Sequence, residues 1–207
     1  MTIPRFYPIL DVETAERRGI KPAAAAQQIL NAGARILQLR EKRFFSRDRM
    51  AEAERIAALC QRAGAIFVIN DRADIARLLG AALHLGQDDL APREARRIVG
   101  ESAIVGFSTH NEAQLRAAIR EPADYLALGP IFGTHTKQNP DPAVGIDELR
   151  RLRAFTAQPL VAIGGITREN ARAVIEAGAN SVAVISDLFP EGGRVGQRAG
   201  EWLALLG

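Results

Sequence analysis

The stretch NAGARILQLR, residues 31–40, places a glycine between a helix-like segment and an apolar run. The same frame returns in LLGAALHLGQ at 78–87 and in EAGANSVAVIS at 176–186, and EPADYLALGP at 121–130 repeats it without the glycine. Glycine suits the position just past a helix end, because the backbone there often needs a positive φ. Each glycine copy therefore predicts a helix end followed at once by a strand.

Outward from these copies, short apolar runs alternate with segments of helical spacing over nearly the whole chain. Runs without polar alternation are typical of strands buried on both faces of a parallel sheet. Eight of them, at intervals of roughly 20–25 residues, predict an α/β fold in which residues 1–207 form a single (β/α)8 barrel. A doubly wound sheet also fits the alternation, but it usually needs fewer strands at this length. The eight runs are residues 6–10, 36–39, 66–69, 82–85, 104–107, 125–128, 160–163 and 182–185.

Composition narrows the classes of partner. The 207 residues are 47% hydrophobic and 25% charged, and Lys and Arg exceed Asp and Glu by 27 to 24. This small, dispersed excess is compatible with an anionic small molecule, and no basic block interleaved with aromatics indicates nucleic acid. No apolar run has the ~18 residues of a membrane span, and the start MTIPRFYPILD lacks the regions of a signal peptide. We therefore expect a cytoplasmic protein without a membrane or nucleic-acid partner.

Long polar side chains follow the second predicted strand, although the strand itself is apolar. Function in a parallel barrel gathers at the carboxyl ends of the strands. Because side chains alternate along a strand, Gln38, Arg40 and Lys42 should share one side, opposite Leu37 and Leu39. Solvation at the surface is one explanation of this set. A bound phosphate or diphosphate explains it better, since Arg offers a planar fork and Lys a compact charge to phosphate oxygens.

Two carboxylates, Asp71 and Asp89, follow the third and fourth predicted strands, which are neighbours in a barrel. Mg²⁺ commonly takes one or two carboxylates and completes its shell with water and substrate phosphate oxygens. The same carboxylates could instead pair directly with Arg40 and Lys42, and the sequence leaves both alternatives open. A zinc site is not predicted, because His84 and His110 lack ligands at zinc spacing. Cys60 lies in a helical pattern and is expected in the core.

Three further stretches at predicted strand ends are compatible with an anion. Residues 134–137 combine two hydroxyls and an ammonium in a loop that could close over a ligand. Gly164-Gly165 and Ile185-Ser186 follow the last two strands, where barrels often hold a phosphate on backbone N–H groups. A tight turn explains the two glycines equally well. No Walker A sequence, G-x-G-x-x-G fingerprint or Ser-His-Asp arrangement is evident.

Taken together, these blocks resemble the thiamine-phosphate synthase family, and the resemblance covers most of the chain. Seven blocks in order, each at a predicted strand end, are far more specific than any one of them. The family is a (β/α)8 barrel that uses Mg²⁺ to join a hydroxymethylpyrimidine diphosphate to a thiazole phosphate, releasing diphosphate. The blocks are QLREK (38–42), NDR (70–72), HLGQDD (84–89), GFSTH (106–110), ADYLALGPIFGTHTK (123–137), IGGI (163–166) and VIS (184–186).

The resemblance implies roles for individual residues. Arg40 and Lys137 would be catalytic, because they would neutralise the departing diphosphate, and Asp71 and Asp89 would hold Mg²⁺. It also implies that the bond to the pyrimidine methylene breaks early and that the thiazole nitrogen captures the cation, so the nucleophile needs no general base. The pyrimidine diphosphate set is Gln38, Leu39, Arg40, Glu41, Lys42, Asn70, Ser108 and Lys137. The thiazole phosphate set is Thr134, Thr136, Gly165, Ile185 and Ser186, and His135 is expected to bind substrate as well.

Two other functions remain open at this stage. A thiazole tautomerase relative on the same barrel isomerises the thiazole ring with a histidine, and His110 could take that role. Asp71, Asp89 and the T-x-T-K stretch favour the synthase, because a tautomerase has little use for a metal-diphosphate clamp. A non-catalytic phosphometabolite sensor would share the anion-binding residues but would need an output surface. The partners expected are phosphorylated small molecules, and a homo-oligomer is left open.

Overall fold

The computed structural model describes residues 2–133 and 142–207, and within them eight parallel strands close into a barrel. Each strand pairs with the next along the chain, and the last strand closes the ring against the first. The (β/α)8 barrel expected from the sequence is confirmed. The strands are β1 (Phe6–Asp11), β2 (Ile36–Arg40), β3 (Ile66–Asn70), β4 (Ala82–Leu85), β5 (Val105–Thr109), β6 (Tyr125–Leu128), β7 (Leu160–Ile163) and β8 (Ser181–Val184).

Helices follow the strands and pack around the barrel. Among the described residues, no helix is both long and apolar enough to cross a lipid bilayer. A short 3₁₀ helix, Ser186–Leu188, follows β8. The α-helices are α1 (Val12–Arg17), α2 (Pro22–Asn31), α3 (Arg47–Ala63), α4 (Ala73–Leu79), α5 (Pro92–Val99), α6 (Glu112–Ala118), α7 (Ile146–Arg153), α8 (Ala171–Glu176) and α9 (Val195–Leu206).

The repeated glycine frame has the predicted geometry. The glycines of the three copies, Gly33, Gly80 and Gly178, have φ of 112°, 59° and 107°. They lie one or two residues beyond the ends of α2, α4 and α8, and the next strand begins within three residues of each. A residue with a side chain rarely adopts such φ values, because its Cβ meets the neighbouring carbonyl. The helix-to-strand turns expected from the sequence are confirmed.

Two strands lie at slightly different positions along the chain than the sequence predicted. β5 begins at Val105 instead of residue 104 and extends to Thr109, because Thr109 still pairs with Leu128 of β6. β8 begins at Ser181, which pairs with Val161 of β7, and it ends before Ile185. Apolar runs mark the strands, but pairing with the neighbouring strand sets their ends.

The barrel separates two apolar cores, which explains the unbroken apolar runs. The inner core contains side chains such as Tyr7, Val68 and Tyr125, whereas the outer core fills the layer between strands and helices. Leu37 and Leu39 belong to the outer core, and Gln38 points inward, as the alternation predicts. Cys60 is buried in the outer core, and burial raises the pKa of its thiol to about 12. Its predicted core position is confirmed.

Candidate active site

Arg40, at the end of β2, pairs with Asp11, at the end of β1. These positions are aligned by strand register, since Asp11 lies opposite Arg40 in the β1–β2 ladder. The side chains are 4% (Asp11) and 17% (Arg40) exposed, and the guanidinium donates to Asp11 Oδ2. Asp11 Oδ1 also accepts from the N–H and hydroxyl of Thr14, at 2.9 and 2.6 Å, and so caps α1. Arg40 is therefore held at the rim of the barrel by a carboxylate that is itself fixed.

Lys42, Asp71 and Asp89 meet at the neighbouring strand ends. Lys42 Nζ lies 2.5 Å from Asp71 Oδ2, and the Asp89 carboxyl lies within hydrogen-bonding reach of Asp71. The amide of Gly86 donates to Asp89 Oδ2 at 2.7 Å, which fixes Asp89 in its turn. Burial and, next, the hydrogen bond with Asp89 raise the pKa of Asp71 to about 6, against the lowering effect of Lys42. Lys42 pairs directly with Asp71, as one of the two alternatives from the sequence allowed, whereas Arg40 pairs with Asp11 instead.

The turn after β3 has an unusual backbone and a buried polar atom without a partner. Asp71 has φ of 64°, the only positive value outside glycine among the described residues. Its N–H donates to the carbonyl of His84 at 2.8 Å, which holds this conformation. Within residues 2–133 and 142–207, Asn70 Nδ2 is buried and lacks a hydrogen-bond partner. Strained backbone and an orphaned donor together are typical of a binding site, because a ligand can satisfy the donor.

A continuous chain of hydrogen bonds crosses the barrel interior below the rim. Gln38 Nε2 donates to the Tyr7 hydroxyl at 2.9 Å, and the hydroxyls of Tyr7 and Tyr125 are 2.8 Å apart. Tyr125 continues to His84 Nδ1 at 3.0 Å, and His84 Nε2 reaches Ser108 Oγ at 2.9 Å. We name these five residues the interior relay. It connects β1, β2, β4, β5 and β6, and it links two residues expected to bind substrate, Gln38 and Ser108.

Two residues of the QLREK block face away from the barrel mouth. Leu39 lies in the outer core. The Glu41 side chain is 2% exposed and accepts from the amide and Nε of Arg43, at 2.9 and 3.1 Å, and from Nε of Arg49, at 2.9 Å. Any contact of Leu39 or Glu41 with a ligand at the mouth would therefore come from backbone atoms. The side chain of Glu41 instead fixes the loop that carries Lys42.

The ends of β7 and β8 are adjacent, and they carry the residues expected to hold the thiazole phosphate. Gly165 has φ of 61°, and a Cβ there would lie 2.5 Å from the carbonyl oxygen of Gly133. Only glycine fits this close approach. Ser186 begins the 3₁₀ helix directly after Ile185, and the next residue, Asp187, accepts from Arg198 Nη1 at 2.6 Å and from Trp202 Nε1 at 2.8 Å. These bonds tie the 3₁₀ helix to α9.

The sequence also indicated residues 134–137 and His110 as candidate site residues. Thr134, His135, Thr136 and Lys137 lie outside the described residues. His110 lies just after β5, and its Nδ1 is 2.5 Å from the carbonyl oxygen of Gly129.

Sequence reasoning missed Asp11, Tyr7 and Tyr125. The available signal was the period-two alternation in β1: Tyr7, Ile9 and Asp11 share one side of the strand, as do Gln38 and Arg40 in β2. A charged residue on the inward side of an otherwise apolar strand predicts a mouth position, as it did for Arg40. Tyr125 gave no such signal, because a buried tyrosine in an apolar run is usually core.

The fold and the site together define a (β/α)8-barrel protein whose mouth presents paired cations and carboxylates at the carboxyl ends of its strands. The family model for thiamine monophosphate synthase matches residues 6–188. A thiamine-phosphate synthase of Koribacter versatilis is 45% identical over 212 residues, covering 100% of this chain and 97% of the relative. One of Methanoculleus marisnigri is 44% identical over 176 residues, covering 84% of this chain and 83% of the relative.

The chain therefore belongs to the thiamine monophosphate synthase family, as the sequence blocks indicated. Its fold is also that of a solved relative. The structure of a thiamine phosphate pyrophosphorylase from Pyrococcus furiosus superimposes with a TM-score of 0.86 at 27% identity, covering 98% of this chain and 95% of that one.

Proposed function

We propose that this chain joins a pyrimidine methyl diphosphate to a thiazole phosphate, forming thiamine phosphate and releasing diphosphate. The C–O bond between the pyrimidine methylene and the diphosphate breaks, and the diphosphate leaves with the electron pair. The thiazole nitrogen then forms the new bond to the methylene. The observation that carries the proposal is the meeting of Lys42, Asp71 and Asp89 beside Arg40 in a chain whose relatives are thiamine-phosphate synthases.

The pyrimidine diphosphate is assigned to the β2, β3 and β5 strand ends. Arg40 and Lys42 supply positive charge where the leaving group gains negative charge, and such preorganised charge lowers the barrier most where water is excluded. Asn70 Nδ2, buried and without a partner among the described residues, is a donor for the same ligand. Gln38 and Ser108 belong to the same set, and their side chains are the two ends of the interior relay. Lys137 belongs to this set on sequence grounds.

Mg²⁺ is part of the proposal, and the residues present fit it. Two carboxylates meet beside a lysine, and burial, followed by the hydrogen bond with Asp89, raises the pKa of Asp71. The described residues contain no cluster of three or more His, Cys, Asp or Glu that could form a complete metal site. Two carboxylates are nevertheless what Mg²⁺ takes when substrate phosphates and water complete its shell. When bound, the ion would neutralise charge on the diphosphate; Asp71 and Asp89 would hold it.

The thiazole phosphate is assigned to Gly165, Ile185 and Ser186, with Thr134 and Thr136 added from the sequence. Backbone N–H groups at the start of a helix can donate hydrogen bonds to phosphate oxygens. The two anions then occupy different parts of the mouth, which keeps their charges apart and leaves the reacting atoms between them. Positioning both substrates can contribute several kcal/mol, within the roughly 7–11 kcal/mol of well-oriented reactions.

The direct test is to mix the purified chain with both phosphorylated heterocycles and Mg²⁺ and to measure thiamine phosphate and diphosphate. We expect equimolar products, loss of activity in Asp71→Ala and Lys137→Ala, and full activity in Asp147→Ala, whose side chain is 99% exposed. Isomerisation of the thiazole without the pyrimidine substrate would favour the tautomerase function instead. Absence of both reactions, with tight binding of either anion, would favour a sensor. The cytoplasmic location is part of the same proposal and is tested by cell fractionation.

A further inference from the structure

The interior relay has a direction that follows from the number of protons each group can give. Gln38 Nε2 can only donate, so the Tyr7 oxygen accepts from it and the single Tyr7 proton points to Tyr125. Tyr125 then has one proton, which points to His84 Nδ1. Burial raises the pKa of both tyrosines, so both hydroxyls keep their protons at neutral pH.

The direction continues through the imidazole. A neutral histidine whose Nδ1 accepts must carry its proton on Nε2, and that nitrogen lies 2.9 Å from Ser108 Oγ. Ser108 therefore accepts from His84 and keeps its own proton to donate elsewhere. Ser108 is half-buried near the end of β5, at the carboxyl face of the barrel. Its proton is thus directed to the mouth.

We propose that His84 is a positioning residue, held as the Nε2–H tautomer by Gln38, Tyr7 and Tyr125, so that Ser108 is committed to donating a hydrogen bond to the substrate. The assignment of that substrate as the diphosphate rests on the proposed function. An anion can only accept hydrogen bonds, so a serine oriented as an acceptor forms none with it. A serine whose proton always points into the mouth can donate to the anion whenever the anion binds. A preorganised donor costs no reorganisation when negative charge develops.

The packing around the relay shows that it is built into the barrel. His84 stacks on Tyr125 with ring centroids 5.5 Å apart and an interplanar angle of 18°. Gly106 pairs with both His84 and Tyr125 in the sheet, and a Cβ there would lie 2.0 Å from Tyr125 Cζ. The absence of a side chain at Gly106 makes room for the tyrosine that connects the two halves of the relay. Gln38 is 2% and His84 9% exposed, so water has little access to compete for these bonds.

The first experiment reads the tautomer directly and needs no substrate. The chain has 3 histidines, so ¹⁵N-histidine labelling with His110→Gln and His135→Gln variants assigns the signals of His84. We expect a protonated Nε2 and an unprotonated Nδ1 at neutral pH. A proton on Nδ1 would mean that the relay runs in the opposite direction, with the Gln38 oxygen accepting from Tyr7, and would overturn the proposal. An imidazolium would also overturn it.

The decisive variant is Gln38→Glu, measured at a pH high enough to ionise the new carboxyl, because a carboxylate can only accept. It should reverse the direction of all four hydrogen bonds between residue 38 and Ser108. The His84 proton should therefore move from Nε2 to Nδ1. Tyr125→Phe should remove the donor to Nδ1 and change the ¹⁵N shifts of His84. Thr109→Val is the matched control, because the Thr109 hydroxyl is buried on the same strand but bonds the carbonyl of Ala127 outside the relay. An unchanged tautomer in folded Gln38→Glu overturns the proposal.

The kinetic consequence separates this inference from the proposed function. In Tyr125→Phe the KM for the pyrimidine diphosphate should rise about tenfold, the effect of one hydrogen bond to a charged group, while the KM for the thiazole phosphate stays within about twofold. Equal rises in both KM values would indicate a merely structural role. If the wild-type chain makes no thiamine phosphate, the proposed function fails, and the tautomer measurement still decides the direction of the relay.

Discussion

The carboxylate of Asp11, at the end of β1, forms a hydrogen-bonded ion pair with the guanidinium of Arg40, at the end of β2. The pair lies at the rim of the barrel, where a diphosphate would also need that guanidinium. Asp11 thus holds the Arg40 guanidinium in place, and the Arg40 side chain is only 17% exposed. The position of this cation depends on Asp11 as much as on its own strand.

Asp11→Asn should weaken pyrimidine diphosphate binding and lower the stability of a barrel that still folds. Asparagine caps a helix about as well as aspartate, so the bond from Thr14 to residue 11 survives while the charge that holds Arg40 is lost. We expect the KM for the pyrimidine diphosphate to rise about tenfold and the free energy of unfolding to fall by about 1–3 kcal/mol, because the ion pair is largely buried. Steady-state kinetics and denaturant unfolding measure the two effects. Unchanged kinetics would show that Arg40 needs no partner.

Asp71 should make the metal-free protein less stable as pH rises. Burial, the main cause, raises the pKa of Asp71 in the folded protein from 3.8 to about 6. The stability that the protonated carboxyl contributes is therefore fully present below pH 3.8 and is lost as pH rises through 6. Asp71→Asn should remove that loss and raise the Tm at pH 7.5 by up to roughly 6–12 °C, with little change at pH 4, because about two pKa units correspond to about 3 kcal/mol. Thermal unfolding in a chelator tests this. A lower Tm for the variant at pH 7.5 would contradict the pKa direction.

Mg²⁺ should stabilise the protein in a pH-dependent way, because protons compete with the metal for Asp71, whose pKa is raised to about 6. At 100 times the dissociation constant, a ligand of the folded state adds about 2.7 kcal/mol, which corresponds to several degrees in Tm for a chain of this size. We expect the Mg²⁺-induced rise to be present at pH 7.5 in the presence of diphosphate and to shrink at pH 5. Asp89→Asn should abolish it. An equal rise in that variant would place the ion elsewhere.

Gly106→Ala should destabilise the barrel from the inside. A Cβ at residue 106 would lie 2.0 Å from Cζ and 2.4 Å from the hydroxyl oxygen of Tyr125, and the surrounding interior is buried. Overpacking of this kind costs about 1–3 kcal/mol or more. Gly200→Ala, in the middle of α9 with open space at its Cβ position, is the matched control and should stabilise by about 0.5–1 kcal/mol. Equal effects in the two variants would mean that Tyr125 adjusts freely.

Glu41→Gln should act through stability as well as through binding. The almost fully buried carboxylate of Glu41 pairs with Arg43 and Arg49. Loss of its charge should therefore lower the free energy of unfolding by about 1–3 kcal/mol. The looser loop should also raise the KM for the pyrimidine diphosphate several-fold, because the loop carries Lys42. Glu13→Gln, at an exposed pair with Arg17, should cost less than about 0.5 kcal/mol. A change in KM at full stability would instead indicate a ligand contact of the Glu41 side chain.

Much of the fold could be predicted from local patterns. Apolar runs, helical spacing and glycines just past helix ends depend on near neighbours in the chain, so they identify eight strands and the turns into them. The same period-two alternation places Gln38 and Arg40 on the inward side of β2, which the structure confirms. Local patterns do not define strand ends such as those of β5 and β8, because pairing with a neighbouring strand sets them.

The partners of the site residues were decided by tertiary structure alone. Arg40 pairs with Asp11 and Lys42 with Asp71 because barrel closure and register bring those strand ends together, and no local pattern records register. The path from Gln38 through two tyrosines to Ser108 joins residues as much as 118 positions apart. Local sequence thus determined which strand ends carry charge and which side of a strand a residue takes. Closure of the barrel decided which charges and hydroxyls meet, because contacts across it depend on all eight described strands at once.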